Sequence, residues 1–222
     1  TPSAADTVAG TVTLTWTVTG NGSPTSACYQ DVDIMVLTIN LSPASNAGVD
    51  DAICAGDTYP LGASSTNGSG LWSGGSGTYN PNNTIANAIY TPSAADTVAG
   101  TVTLTWTVTG NGSPTSACYQ DIDNMVLTIN SSPASNAGVD TTLCQGEIYT
   151  LSGTATNGTS ILWTHNGSGT ITGAATATPI YTPDPTDVTV TLTMTVTGNA
   201  PCLNATSSMV ITINPNPTPG PI

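Results

Sequence analysis

The stretch TVTLTWTVTG, residues 11–20, alternates without a break: Val12, Leu14, Trp16 and Val18 fall on one side, and Thr11, Thr13, Thr15, Thr17 and Thr19 on the other. A period of two in β-branched and aromatic residues specifies a strand with one packed face and one wet face. The same ten letters return at 101–110. A third version at 189–198 keeps the pattern with Val190, Leu192, Met194 and Val196. After the strand, Asn-Gly-Ser at 21–23 and 111–113 signals a turn, and the apolar run MVLTIN brings the chain back, so each copy reads as a hairpin.

Working outward, residues 1–40 and 91–130 differ only at Val32/Ile122 and Ile34/Asn124, which sets a period of 90. The other half of the unit recurs as SPASNAGVDDAIC from Ser42 and SPASNAGVDTTLC from Ser132. Each unit therefore begins at Ser-Pro-Ala-Ser and ends at Leu/Ile-Thr-Ile-Asn. In that phase the chain divides into the C-terminal part of a truncated repeat (1–41), a complete repeat (42–131), a second complete repeat (132–214) and a linker into the next repeat (215–222). On this reading residues 1–40 have no strands of their own to close a core.

Further strands are expected at TYPLGAS and IYTLSGTAT, at GLWSG and ILWTH, and at NAIYTP and TPIYTP, separated by Gly, Asn and Pro. Six or seven short strands in about 90 residues, without a helical period, predict an all-β fold of tandem immunoglobulin-like antiparallel sandwiches in a linear array. Trp72, Trp106 and Trp163 are assigned to the core rather than to a sugar-binding platform.

The chain has 13 acidic residues, one His and no Lys or Arg, for a net charge of −13. Nucleic acid and anionic membrane surfaces are excluded as partners, because both are bound through cations. Trypsin-like proteases find no site. No apolar run is long enough to span a membrane as a helix. With His165 alone and no Lys, Ser-His or Ser-Lys catalysis lacks its base, and no cationic side chain could stabilise an anion, so no enzymatic activity is expected.

The acids Asp31/Asp33 and Asp121/Asp123 stand as pairs beside a hairpin. A glycosidase pair is set aside for them, since the third copy has neutral residues there. Calcium is the one cofactor considered, with Asp50, Asp51, Asp57, Asp121 and Asp123 as weak candidate ligands near loops and unit junctions; a solvated acidic surface is the simpler expectation. Five cysteines fit the phase, one in each front half and one after each hairpin. Intra-unit bridges Cys54–Cys118 and Cys144–Cys202 are expected. The alternative is Cys54–Cys202, which applies if the first cysteine lies at the far pole of one sandwich and the second at the near pole of the next. Cys28 then pairs with a residue outside the chain. Disulfides imply an oxidising, extracellular location.

The unit as a whole, with its AGVDxxxCxGxxY start, YTPSAAD centre and MVLTIN end, resembles the tandem immunoglobulin-like or PKD-like repeats of giant surface adhesins of Bacteroidota-type bacteria. The resemblance implies β-sandwiches strung in a stalk or fibre at the bacterial cell surface, with neighbouring repeats of the same or an identical chain as partners. It also implies O-glycosylation candidates at Thr7, Thr97 and Thr141. The competing reading is a carbohydrate-binding region of a secreted multidomain protein, which requires an exposed row of aromatic residues.

Overall fold

In the computed structural model, which describes residues 1–25, 29–116 and 118–217, strand Thr101–Gly110 lies at the centre of a unit. It pairs antiparallel with Gln120–Asn130 on one side and with Gly68–Ser73 on the other. Asp51–Cys54 completes this four-stranded sheet beyond Gln120–Asn130. Tyr59–Pro60, Ile89–Thr91 and Thr78–Asn80 form an opposing three-stranded sheet, and Ala44–Asn46 pairs with Ser64–Thr66 beside them. The second unit repeats the order strand for strand: Thr141–Cys144, Ala205–Asn214, Thr189–Gly198 and Gly158–His165 make one sheet, and Tyr149–Thr150, Ile180–Thr182 and Thr170–Thr172 the other. The fold is thus all-β, built of immunoglobulin-like sandwiches in succession.

Two features depart from the expected pattern. Asp51–Cys54 runs parallel, not antiparallel, to the end of Gln120–Asn130, with Cys54 opposite Asn130. Thr141–Cys144 does the same against Ala205–Asn214. The second departure is a pair of six-residue helices, Ala4–Ala9 and Ala94–Ala99, where no helix was expected. Each is defined by its ends rather than by periodicity. Ser93 accepts from the Asp96 amide while the Asp96 carboxylate accepts from the Ser93 amide, and Gly100 closes the helix at φ 74°. In the third copy the corresponding residues are Asp184 and Asp187, and a turn replaces the helix.

Each complete unit has its own core. Val102, Leu104, Trp106 and Val108 point inward, as their alternation predicts, and meet Trp72, Tyr90, Met125 and Leu127. Val190, Leu192, Met194 and Val196 do the same against Trp163, Tyr181, Met209 and Ile211. Trp72 and Trp106 are cross-strand neighbours with ring centroids 5.1 Å apart. This pairing requires a glycine at position 70, because a Cβ there would stand 1.8 Å from the Trp106 ring. In the second unit Met194 replaces the tryptophan and Ile161 replaces the glycine, opposite Val196 as Gly70 is opposite Val108. Volume lost on one strand is restored on its neighbour.

Residues 1–41 differ from both units. Thr11–Thr19 and Gln30–Thr38 form a two-stranded hairpin in the same register as its counterpart, Thr11 opposite Thr38 and Trp16 opposite Asp33. Among the described residues no second sheet lies over it. Trp16 is 73% exposed where Trp106, in an identical local sequence, is 1% exposed. Cys28 and the linker residues 218–222 lie outside the described residues.

Gly70→Ala is expected to destabilise the first complete unit by about 1–3 kcal/mol, the usual cost of overpacking a filled core. The double variant Gly70→Ala with Trp106→Met, which imitates the second unit, is expected to regain most of that loss; thermal unfolding of the two variants checks both values.

Candidate functional site: the junctions between units

The chain enters a complete unit at Ser42 and leaves it at Asn130, and the parallel edge strand carries Cys54 to the same end as Asn130. Cys118 lies in the hairpin loop at the opposite end, beyond the Thr109–Gln120 pair, where its sulfur is 3.6 Å from the Ser42 hydroxyl. Ten residues of strand, about 33 Å at 3.3 Å per residue, separate Asn130 from Gln120. A disulfide needs its Cα atoms within about 7 Å, so the two cysteines of one unit stand at opposite poles and the intra-unit pairs Cys54–Cys118 and Cys144–Cys202 do not form. The structure instead joins Cys54 to Cys202, with Cα atoms 5.0 Å apart and a sequence separation of 148. Cys118, half-buried, and Cys144, exposed, are the free cysteines among the described residues.

Side chains that begin and end each unit surround this bridge. The Ser132 hydroxyl lies 3.2 Å from the Cys54 sulfur, and the Asn130 side-chain Nδ2 donates to the Ala200 carbonyl at 2.7 Å. Asn157 takes the left-handed conformation at φ 57° and donates from its side chain to the Ser132 carbonyl. Asn67, at φ 56°, makes the same bond to Ser42. The Asn-Gly pairs expected only to turn the chain therefore also anchor the start of each unit. Pro133, Pro201, Leu203 and Asp57 line a cavity of about 330 Å³ beside the bridge.

The candidate calcium ligands are not brought together. Asp121 accepts from the Ser45 amide at 2.7 Å and the Ser45 hydroxyl at 2.9 Å, and Asp123 from the Ala47 amide at 2.8 Å. These two carboxylates fasten the front strand of the unit to its hairpin, and the Ser45 bonds hold the Asp121 carboxyl below its usual range. Asp50 accepts from the Val126 amide, and Asp51 from the Tyr59 hydroxyl. Asp57 borders the junction cavity. Among the described residues no three His, Cys, Asp or Glu side chains are grouped as a metal site would need. Of the glycosylation candidates, Thr7 and Thr97 are half-buried and their hydroxyls donate to the carbonyls of Ser3 and Ser93, while Thr141 opens the parallel edge strand of the second unit.

A network that the sequence reading missed supports the fold behind the junction. Asp96 is buried and accepts from the Tyr90 hydroxyl at 2.7 Å, the Ser76 amide at 2.9 Å and both donors of Ser93. Burial by itself would raise its carboxyl, but the hydrogen bonds from Ser93, Tyr90 and Ser76 outweigh it and hold the group below the usual carboxylate range. Asp187 repeats the arrangement with Tyr181, Ser168, Gly169 and Asp184. Burial, together with the Asp96 charge, pushes Tyr79 up to about 12. The Ser-x-x-Asp capping pattern was the available signal for this network.

No family model matches the chain, and no curated protein matches it. Among solved structures it is similar to mouse cadherin-23 repeats EC22-24, at 13% identity over 95% of this chain and 77% of that one, with a TM-score of 0.41. It is also similar to the insect immune protein hemolin, at 15% identity over 85% and 54% with a TM-score of 0.47. A third is a variant of titin domains I67-I69, at 12% identity over 86% and 72% with a TM-score of 0.48.

Because the folded Asp96 carboxyl titrates below the unfolded one, its contribution to stability is complete above the unfolded value of about 3.9 and is lost as pH falls through the folded value. Asp96→Asn is expected to cost the first complete unit about 1.5–3 kcal/mol at pH 7, the range for hydrogen bonds to a charged group. That penalty should shrink as pH falls below 4, where the unfolded-state carboxylate begins to protonate and the native one follows at lower pH. Equal penalties at pH 7 and pH 3 in urea unfolding would contradict the network's role.

Proposed function

We propose that this chain is a non-enzymatic structural and adhesive repeat segment of a long extracellular protein, in which sandwiches are linked end to end into a stalk or fibre. The observation that carries the reading is the Cys54–Cys202 bridge across the junction between successive units. A lone backbone connection lets two domains swivel. A second covalent link away from the first restricts both bending and twisting. Here the backbone passes through Ser131 while the bridge spans the same junction, with Pro133 and Pro201 beside it.

Other features fit that task. Entry and exit at opposite poles give each unit a direction, so repetition lengthens the array instead of closing it. In the edge ladder between Asp51–Cys54 and Leu127–Asn130 the strands run parallel. Tension that draws the two ends of a unit apart therefore loads all of the rungs at once in shear, not one after another. A disulfide suits an oxidising exterior. No helix among the described residues is long and apolar enough to cross a membrane. The carbohydrate-binding reading needs accessible Trp72 and Trp163, and both are buried.

Placement on a bacterial surface, division into repeats at 1–41, 42–131, 132–214 and 215–222, and glycans at Thr7, Thr97 or Thr141 belong to the same proposal. They rest on the sequence pattern and its resemblance to surface adhesins.

Electron microscopy of the native material tests it. Continuous beaded filaments are expected, with an axial repeat of about 35 to 45 Å set by strands of about ten residues. Discrete particles that bind an oligosaccharide would overturn the fibre reading in favour of a binding module.

A further inference from the structure

The bridge defines a pairing rule that assigns a partner to each of the two cysteines left free among the described residues. Cys54 belongs to the front half of one unit and Cys202 lies in the hairpin loop of the next, so the bond runs from a front half to the back half of the succeeding unit. Cys118 is the back-half cysteine of the first complete unit, and under this rule its partner is a front-half cysteine one unit earlier. Cys144 is a front-half cysteine, and its partner is a back-half cysteine one unit later.

Cys118 lies next to a vacancy of matching kind. The inward face of the paired strands Thr11–Thr19 and Gln30–Thr38 is uncovered: Leu14, Trp16, Val18 and Met35 are exposed, whereas their counterparts Leu104, Trp106, Val108 and Met125 are buried beneath residues 42–90 of their own unit. Among the described residues Asp31 and Asp33 accept only from the amides that follow them, Val32 and Ile34, whereas Asp121 and Asp123 hold Ser45 and Ala47 of a front half. The hairpin thus retains the apolar surface and the carboxylates that seat a front half, and Cys118 lies at the junction between that hairpin and the next unit, beside Ser42. Copies of these residues cannot satisfy one another in this way. Each contains three back-half hairpins and two front halves, so one face always remains.

We propose that the paired strands Thr11–Thr19 and Gln30–Thr38, together with Cys118, form an acceptor site for one further front half-repeat, a polypeptide of the 42–90 pattern lying outside these 222 residues, which closes a third sandwich and bonds covalently to Cys118. The inference rests on the repeat-array reading above and adds the identity of the occupant and the register of its bond. Joining two thiols releases two protons and two electrons. A small-molecule disulfide accepts both by exchange and leaves as two thiols. In a continued array the same rule gives overlapping bridges, since the stretch from Cys54 to Cys118 falls within two of them. Unfolding one unit then frees little chain, and such a cable resists stretching.

The test is a chain with a second copy of residues 42–90 fused ahead of Thr1, so that the added Tyr leads into Thr1 as Tyr90 leads into Thr91. It is refolded with oxidised and reduced glutathione and digested at Asp without reduction. A bond between the added cysteine and Cys118, alongside Cys54–Cys202, is expected, with loss of the acrylamide-quenchable emission of Trp16. Cys54–Cys202 in the same molecules reports that the parent units have folded. If it forms while the added cysteine bonds Cys28 or stays free, or while Trp16 remains quenchable, the proposal is overturned. In the fused chain Cys118→Ser should still protect Trp16, because the apolar face is covered whether or not the bond forms; renewed quenching there would contradict the seating. A correct bond together with micrographs that lack filaments would remove the fibre reading and leave this one standing.

Discussion

The short parallel ladder between Asp51–Cys54 and Leu127–Asn130 governs the rest of the structure. Had the edge strand run the other way, Cys54 would lie toward the entry pole, within reach of its own unit's hairpin loop. Running parallel, it delivers Cys54 to the exit pole, where only the following unit can reach it. Asp50 fixes the entry to this strand through the Val126 amide, and Asp140 does the same through Val210. A few backbone hydrogen bonds and one carboxylate thus determine whether the cysteines stiffen single domains or join successive ones. The second unit repeats the device with Thr141–Cys144 and presents its own cysteine outward at the far end.

The same chain shows that burial belongs to the partner as much as to the strand. Residues 11–20 and 101–110 are identical in sequence and identical in hairpin register, yet one set of inward side chains is wet and the other dry. The difference lies wholly in residues 42–90, which provide Trp72, Tyr90 and Leu61 against the second copy and nothing against the first. Covering a tryptophan and several aliphatic side chains is favourable at about 25 cal/mol per Å² of apolar area.

Much of the fold was legible in the letters because alternation is a local signal. The inward residues of the central strand, the hairpin after it and the core tryptophans all follow from period and repeat. What the letters did not show depends on partners distant in sequence. The parallel rung at Cys54 is made with Asn130, far along the chain, and no turn fixes its direction. The cysteine connectivity follows from that direction and could be stated only as alternatives. The short helices escaped notice because six residues cannot display a helical period, although the Ser-x-x-Asp box that nucleates them was visible. Asp121 and Asp123 resembled ligands until the front strand was in place, and then proved to be the acceptors that hold it.

The central claim, that the covalent link runs between units and bears tension, is tested most directly by pulling single chains from both ends before and after reduction. With Cys54 joined to Cys202, at a sequence separation of 148, the chain between them cannot be drawn out when the units unfold. Reduction should therefore free one concealed length on the order of 500 Å at 3.3–3.6 Å per residue. Intra-unit bridges would instead conceal two separate lengths of roughly 200 Å each on the same scale, and that result would contradict the account.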